Sequence, residues 1–268
     1  MNKFTPWMKR WYVPSAAALQ VDAGGAAFLP TDLSNLLLWL DASDASTITE
    51  TLGAVSQWDD KSGNGNHVTQ ATSSQQPTTN SVTIGGVNAI NFDGNDFLRR
   101  ADSLGLTGNP AITVLTVVRP DTSGEQRMLM IGNQSPGNGI AYSWTDNSLR
   151  FNDGNVVWDT ASNNASNEYC ILWTRPAGTT YYASGVNCYE GGGTPLSKTG
   201  GVNEIDTLNM INTETSIGLG VAQGGAFQSY ITGPIGEIMI YNSVPATADL
   251  NQLGAYENSK WAVPWSDI

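Results

Sequence analysis

The sequence predicts an all-β sandwich, and three observations lead there. Charged residues make up only 13% of the 268 residues and apolar ones 40%. The remainder is dominated by Gly, Asn, Ser and Thr, which favour turns and strand surfaces over helix. Short apolar runs recur at regular spacing with Gly, Asn or Asp turns between them, the pattern of two packed sheets.

In chain order, residues 1–30 stand apart as an N-terminal arm. They hold Phe4, Trp7, Trp11 and Tyr12 with Lys3, Lys9 and Arg10, and no acidic residue precedes Asp22. Disordered tails are poor in aromatics, so an aromatic, basic arm is expected to dock, either on its own domain or, as an anchor, on a neighbouring subunit. Pro6, Lys9, Arg10 and Pro14 interrupt any apolar run, so a secretory signal is not expected here. No stretch reaches transmembrane length. The domain proper is read as residues 31–268.

The run Leu36–Leu40 predicts a buried strand, followed by turn-rich residues to Gln57. Residues 87–100, VNAINFDGNDFLRR, predict strand, Asp93-Gly94 turn, strand, with Asp-Gly as a hairpin signal. AITVLTVVRP (111–120) predicts a central strand. QRMLMIGN, GIAYSWTD, SLRFNDGNVVWD and EYCILWTRPAGTTYYASGVN add short strands, and TSIGLGVA (215–222) and IGEIMIYN (235–242) close the set. The C-terminal ATADLNQLGAYENSKWA predicts a short helix with Thr247 as N-cap and Leu250, Leu253, Tyr256 and Trp261 on its apolar side. If a turn near Pro176–Thr179 closes a hairpin, Cys170 faces Gly185, not Cys188, and no disulfide forms.

The net charge of −12 opposes phosphate backbones and anionic lipid, so neither nucleic acid nor membrane insertion is expected. The stretch QWDDKSGNGNH (57–67) looks like chemistry, with Asp59, Asp60, a lysine and His67, the single histidine of the chain. Its glycines can take positive φ, its Asn side chains can cap backbone donors, and Trp58 can anchor it. It therefore reads first as an ordered loop, with sugar binding through Asp59, Asp60 and His67 as the functional alternative. Tyr142 and Trp144 alternate onto one face of a strand, and Trp158 lies on another; these rings are candidates for stacking on sugars or for the core. The glycine-rich loop 191–201 lacks the Gly-Lys-Ser/Thr ending of a phosphate cradle.

LLLWLDASDASTIT, VSQWDDKSGNGNH, INFDGNDFL and GEIMIYNSVPATADLNQLGAYENSKW together resemble the concanavalin A-like lectin/glucanase superfamily, laminin-G-like branch, over about residues 33–262. The matching positions are Phe92, Asp93, Gly94, Asp96 and Leu98, then Glu237, Tyr241 and Asn242, then Lys260 and Trp261. The resemblance implies a two-sheet antiparallel jelly roll. It implies no obligatory cofactor but allows Ca²⁺: Asp41, Asp44, Asp59, Asp60, Asp93 and Asp96 offer hard oxygen ligands, with Asp93 and Asp96 the candidate pair; where relatives carry a further Asp, this chain has Gly236. Laminarinase-type relatives carry Glu-x-Asp-x-x-Glu. Here Glu204 and Asp206 match but Asn209 stands at the third position and cannot deliver a proton.

Fold alone does not set function. Lectin-like domains of this branch recur in phage structural proteins. With the arm, this yields the expectation of a non-enzymatic virion protein: a capsid decoration, head fibre or adhesin, assembled in the host cytoplasm. The arm would hold it to other virion proteins in many copies, and host-surface glycans would be its ligands. The alternative is a bacterial extracellular carbohydrate-binding or adhesion protein, secreted or at the cell surface, with a glycosidase third.

Overall fold

The computed structural model describes residues 27–121, 126–132, 139–145, 148–151, 156–159, 166–180, 183, 185–200, 208–221 and 227–268. The arm residues Phe4, Trp7, Lys9, Arg10, Trp11 and Tyr12 lie outside them, as do Glu204 and Asp206. The molecule is an all-β sandwich with one C-terminal helix. The first sheet runs from Leu36–Asp41 through Thr232–Tyr241, Ile112–Val118 and Tyr169–Arg175 to Asn187–Glu190, antiparallel throughout. The second runs from Leu98–Arg100 through Thr215–Ile217, Gln126–Gly132, Gly139–Thr145, Ser148–Phe151 and Val156–Asp159 to Lys198–Gly200.

The two sheets face each other. The Tyr142 ring from the second meets Trp173 from the first at 4.6 Å between centroids. Gly218 sits so close to Phe92 that an added Cβ would lie 2.6 Å from its ring. Every residue of Ile112–Val118 and Tyr169–Arg175 is buried, because the helix Thr247–Trp261 covers the outer face of the first sheet. A strand covered on both faces reads as a continuous apolar run, which is why these strands stand out in the sequence.

Several expectations need correction. Asp93-Gly94 makes a turn but not a hairpin: Val87–Asp93 pairs with Thr232–Tyr241 and Thr78–Ile84, whereas Leu98–Arg100 pairs with Thr215–Ile217 in the other sheet. The turn hands the chain from one layer to the next. The region before Gln57 holds a hairpin of its own, Ile48–Thr51 with Ala54–Trp58. Thr247 is the first helical residue, and Ala246 caps the helix without a side-chain bond. The two cysteines are free and buried, but Cys188 pairs across from Trp173. The connection after Arg175 is longer than a tight turn, so Cys170 meets Gly191 and not Gly185.

The glycines at 191–193 have a packing role. Gly191 and Gly192 adopt φ of +67° and +75°, and a Cβ on Gly192 would sit 1.8 Å from the Ser266 carbonyl oxygen. Ser266 donates to the Gly191 carbonyl, and Gly193 donates to that of Ser266. The glycine loop is the seat of the C-terminal tail. Among the described residues no helix is long and apolar enough to cross a membrane.

Candidate functional site

The QWDDKSGNGNH loop is an edge cover. The strand Leu36–Asp41 pairs with Thr232–Tyr241 on one side only, and an uncovered edge leaves backbone donors and acceptors unsatisfied. The loop supplies them. Lys61 N–H donates to the Trp39 carbonyl at 2.8 Å. Asn66 Nδ2 donates to the Leu37 carbonyl at 2.7 Å and Asn64 Nδ2 to that of Leu36 at 2.8 Å. The asparagines thus bond backbone acceptors, not the donors expected from sequence. Gly63 and Gly65 adopt φ of +90° and +71°, and Trp58 is fully buried beneath.

Asp60 is the hub of this loop. Its Oδ1 accepts from the Trp39 and Ser62 N–H groups at 2.9 and 2.8 Å. Its Oδ2 accepts from Ser62 Oγ at 2.7 Å and Asn66 N–H at 2.9 Å. Four donors fill the carboxylate, which leaves it little capacity for a sugar. His67 Nδ1 lies 3.1 Å from the Asp60 N–H and 3.0 Å from Asp59 Oδ1. The first contact needs an acceptor nitrogen and the second a protonated one, so the ring can satisfy one at a time. Asp59 and His67 remain at the surface.

Beneath the loop lies a charged network built around Glu237 and Lys260. Asp41 and Glu237 are paired neighbours on adjacent strands, and both are buried. Lys260 Nζ reaches Asp41 Oδ1 and Glu237 Oε2, each at 2.7 Å, and the Tyr256 hydroxyl at 3.1 Å. These three acceptors match the three protons of an ammonium. The indoles of Trp39 and Trp261 donate to the two Glu237 oxygens at 2.5 and 2.6 Å. Lys61 bridges Asp41 and Asp44 at 2.8 and 2.9 Å and lies 4.5 Å from the centre of the Trp39 ring.

The electrostatics follow from these contacts. Burial works to raise the Asp41 carboxyl, but Lys260 and Lys61 outweigh it and hold it below the usual range. Hydrogen bonds from Ser46 and then Lys61 lower Asp44 to about 2. Burial pushes Glu237 up against the pull of Lys260. Glu257, fully buried beside it, is pushed well up by burial and then by the Glu237 charge. Both Glu257 oxygens are buried without a hydrogen-bond partner among the described residues, whereas Glu237 faces the cation. Lys260 and Lys61 are each shared between two carboxylates, and Asp41 and Glu237 are buried among them, which makes a structural centre.

Calcium fits poorly among these residues. Asp41 and Asp44 are paired with lysines and Asp60 is filled. Asp93 and Asp96 share one turn, where Asp96 Oδ2 accepts the Asp93 N–H at 3.0 Å. Burial raises Asp96 to about 7. Among the described residues no group of three His, Cys, Asp or Glu side chains is placed to hold an ion. Gly236 cannot become the missing aspartate without movement, because its Cβ would meet the Trp261 ring at 2.8 Å.

Tyr142 and Trp158, candidates for stacking on sugars, are 1% and 0% exposed. They fill the space between the sheets and offer no open face, a correction that follows from their inward orientation. The Trp144 backbone lies in Gly139–Thr145, opposite Leu149; its side chain is outside the described residues.

An open cleft of about 520 Å³ lies instead at the end of the first sheet, within the roughly 300–1,000 Å³ of small-ligand sites. Asn167, Glu168, Tyr169, Glu190, Gly191 and Pro264 contribute to it. Two strand ends and the C-terminal tail converge here. Glu168 Oε2 accepts the Gly85 N–H at 3.0 Å, and its Oε1 lies 3.9 Å from Arg119. Glu190 Oε2 is shielded from water and has no hydrogen-bond donor among the described residues; burial raises this carboxyl. Sequence reasoning missed the cleft. The one signal was an acid at a strand end directly before three glycines.

No family model and no curated protein matches the chain. Solved structures do. A Trypanosoma rangeli sialidase is similar at 18% identity over 89% of this chain, with a TM-score of 0.56; the match takes in 35% of the sialidase, so this chain spans about a third of its length. Domain 4 of AbnA, a GH43 extracellular arabinanase from Geobacillus stearothermophilus in complex with arabinotriose, is similar at 13% identity and TM-score 0.54, over 82% of this chain and 98% of that domain. An arabinofuranosidase complexed with arabinofuranosyl-alpha-1,2-xylobiose is similar at 15% identity and TM-score 0.55, over 86% and 60%. At such identities the likeness is one of fold. It corrects two expectations. The virion assignment is overturned, because the fold's company is carbohydrate-active proteins. The assignment as no enzyme falls with it, because those proteins are glycosidases by name.

Proposed function

We propose that the chain is a carbohydrate-binding domain, concanavalin A-like in architecture, of an extracellular carbohydrate-active or adhesion protein, secreted or at the cell surface. The observation that carries this reading is the near-complete overlap with an arabinanase domain whose structure contains arabinotriose. The cleft supports it: it is open, of ligand size, and lined by carboxylate, amide and backbone groups that suit sugar hydroxyls. The loop candidates Asp59 and His67 are the second place where a glycan could touch the surface. The test is retention of the full chain on insoluble polysaccharides and on a glycan array. Saturable retention that free oligosaccharide competes away is the expected result. No retention on any polysaccharide would sink the reading.

A further inference from the structure

We infer that Lys260 and Asp41 condense into an intramolecular amide, with Glu237 carrying the proton, so that the helix Thr247–Trp261 is covalently tied to the strand Leu36–Asp41. This goes beyond the carbohydrate-binding reading and does not depend on it. Three features of the buried network carry it. The first is contact. Lys260 Nζ lies 2.7 Å from Asp41 Oδ1 and 2.7 Å from Glu237 Oε2. An amine held against a carboxyl group turns a bimolecular condensation into a unimolecular one. Asp41 and Glu237 stand opposite each other on paired strands, so sheet register fixes both carboxyls before the helix brings the amine. The second is exclusion of water. The Asp41 side chain is 3% exposed and that of Glu237 0%,, and the buried Trp39 and Trp261 indoles wall the site. In water, hydration of the ammonium and the carboxylate opposes condensation. Burial removes that hydration and penalises both ions.

The third feature is a set of groups placed for each step. The two lysines hold Asp41 ionised at first; one proton passing from the Lys260 ammonium to Asp41 leaves a neutral amine and a neutral acid, which are the reactive forms. Lys61 Nζ lies 2.8 Å from Asp41 Oδ2 and stabilises the negative charge that develops on this oxygen as Nζ adds to Cγ. The Trp39 and Trp261 indoles fix the two Glu237 oxygens, and Oε2 faces Nζ. Glu237 takes the proton from the attacking nitrogen and returns it to Oδ1 as that oxygen leaves. Burial pushes the Glu237 carboxyl up, which suits a group that must hold this proton between the two transfers. Ser43 Oγ, donating to Oδ1 at 2.6 Å, assists its departure. The Nζ–Cγ bond forms and the Cγ–Oδ1 bond breaks. One ammonium and one carboxylate become one amide and one water, with no oxidant or co-reactant. Lys61 then donates to the amide oxygen that was Oδ2.

The test is intact-mass spectrometry of the full chain, unfolded in acid, followed by tryptic mapping. The expected result is a mass one water below that of the sequence, no cleavage after Lys260, and fragment spectra that join the peptide holding Asp41 to the one holding Lys260. Asp41→Ala and Lys260→Arg should each keep their full sequence mass. Glu237→Gln should keep its full mass too, with a thermal melt to establish that it is folded. Should it fail to fold, Glu237→Asp, which withdraws the carboxylate by one methylene, should slow the appearance of the lighter mass after refolding at least about tenfold. A wild-type chain at full sequence mass, cleaved after Lys260, holds an ion pair only and overturns the inference, as does a water loss mapped to any other pair of residues. The lighter mass in a folded Glu237→Gln, or at an undiminished rate in Glu237→Asp, overturns the role given to Glu237.

Discussion

Replacing Lys260 by methionine tests whether the buried network holds the helix to the sheet. The change keeps the aliphatic stem and removes the ammonium. Asp41 would lose one of its two lysines and Glu237 its cation, although Glu237 keeps both indole donors. Breaking a buried ion pair by removing one partner costs about 3–5 kcal/mol. Lys260 is 17% exposed and water reaches it, and Lys61 still serves Asp41, so the low end applies, about 3 kcal/mol. In a domain of this size each kcal/mol moves the midpoint by about 2–4 °C, which gives a fall on the order of 10 °C. Urea denaturation and calorimetry read it directly. The sign with pH is also fixed. Without Lys260 the Glu237 carboxyl holds its proton more tightly in the folded state, so the deficit should shrink as pH falls and Glu237 protonates. A loss below about 1 kcal/mol, unchanged with pH, is what an exposed salt bridge would give and would refute a structural role for the cluster.

Three further outcomes are expected. Asp60→Ala strands the Trp39, Ser62 and Asn66 N–H groups and should cost about 2–4 kcal/mol, against less than about 1 for His67→Ala, by urea titration; equal losses would mean that the loop does not hang on Asp60. Gly236→Asp should destabilise by about 1–3 kcal/mol through its clash with Trp261, and its melting midpoint should not move on adding EDTA; a calcium-dependent rise would show that the fold can regain a metal there. Asp96 is raised from 3.8 to about 7 in the folded state, so its contribution to stability is full below pH 3.8 and is lost as pH rises towards and through 7. Asp96→Asn should flatten that slope between pH 4 and 7, and an unchanged slope in denaturation experiments across that range would count against the protonated carboxyl.

How much of this was legible in the sequence depends on how each element is covered. Leu36–Asp41, Ile112–Val118 and Tyr169–Arg175 were readable because both faces are buried, and the run of apolar residues needs no knowledge of partners. Ile48–Thr51 was not, because almost all its residues are exposed and exposure removes the alternation that marks a strand. The Asp93-Gly94 turn was read correctly as a turn and wrongly as a hairpin: turn chemistry is local, whereas the pairing of its flanks is set by strands more than a hundred residues away. The network was half legible. Glu237, Lys260 and Trp261 are visible as a motif, but the partnership with Asp41 and Trp39 spans about two hundred residues of chain, and only the register of two strands brings them together. The cleft was illegible for the same reason, since its walls come from a strand end, a glycine loop and the tail.

The division of labour between these polar centres follows from where the strands begin and end. The Asp-rich loop and the Lys260 cluster sit along an edge and beneath a helix, where backbone groups and charges would otherwise be stranded, and the bonds of Asp60, Asp41, Glu237 and Lys260 close internally. A group whose bonds are closed has little left to offer a ligand. Glu190 is the opposite case: it stands at the last position of its strand, beyond which Gly191 turns the chain away to meet Ser266. The glycines that seat the tail thus also turn the backbone away just past that carboxylate, whose Oε2 is buried without a donor among the described residues. In this molecule the acid-rich motif that draws the eye builds the scaffold.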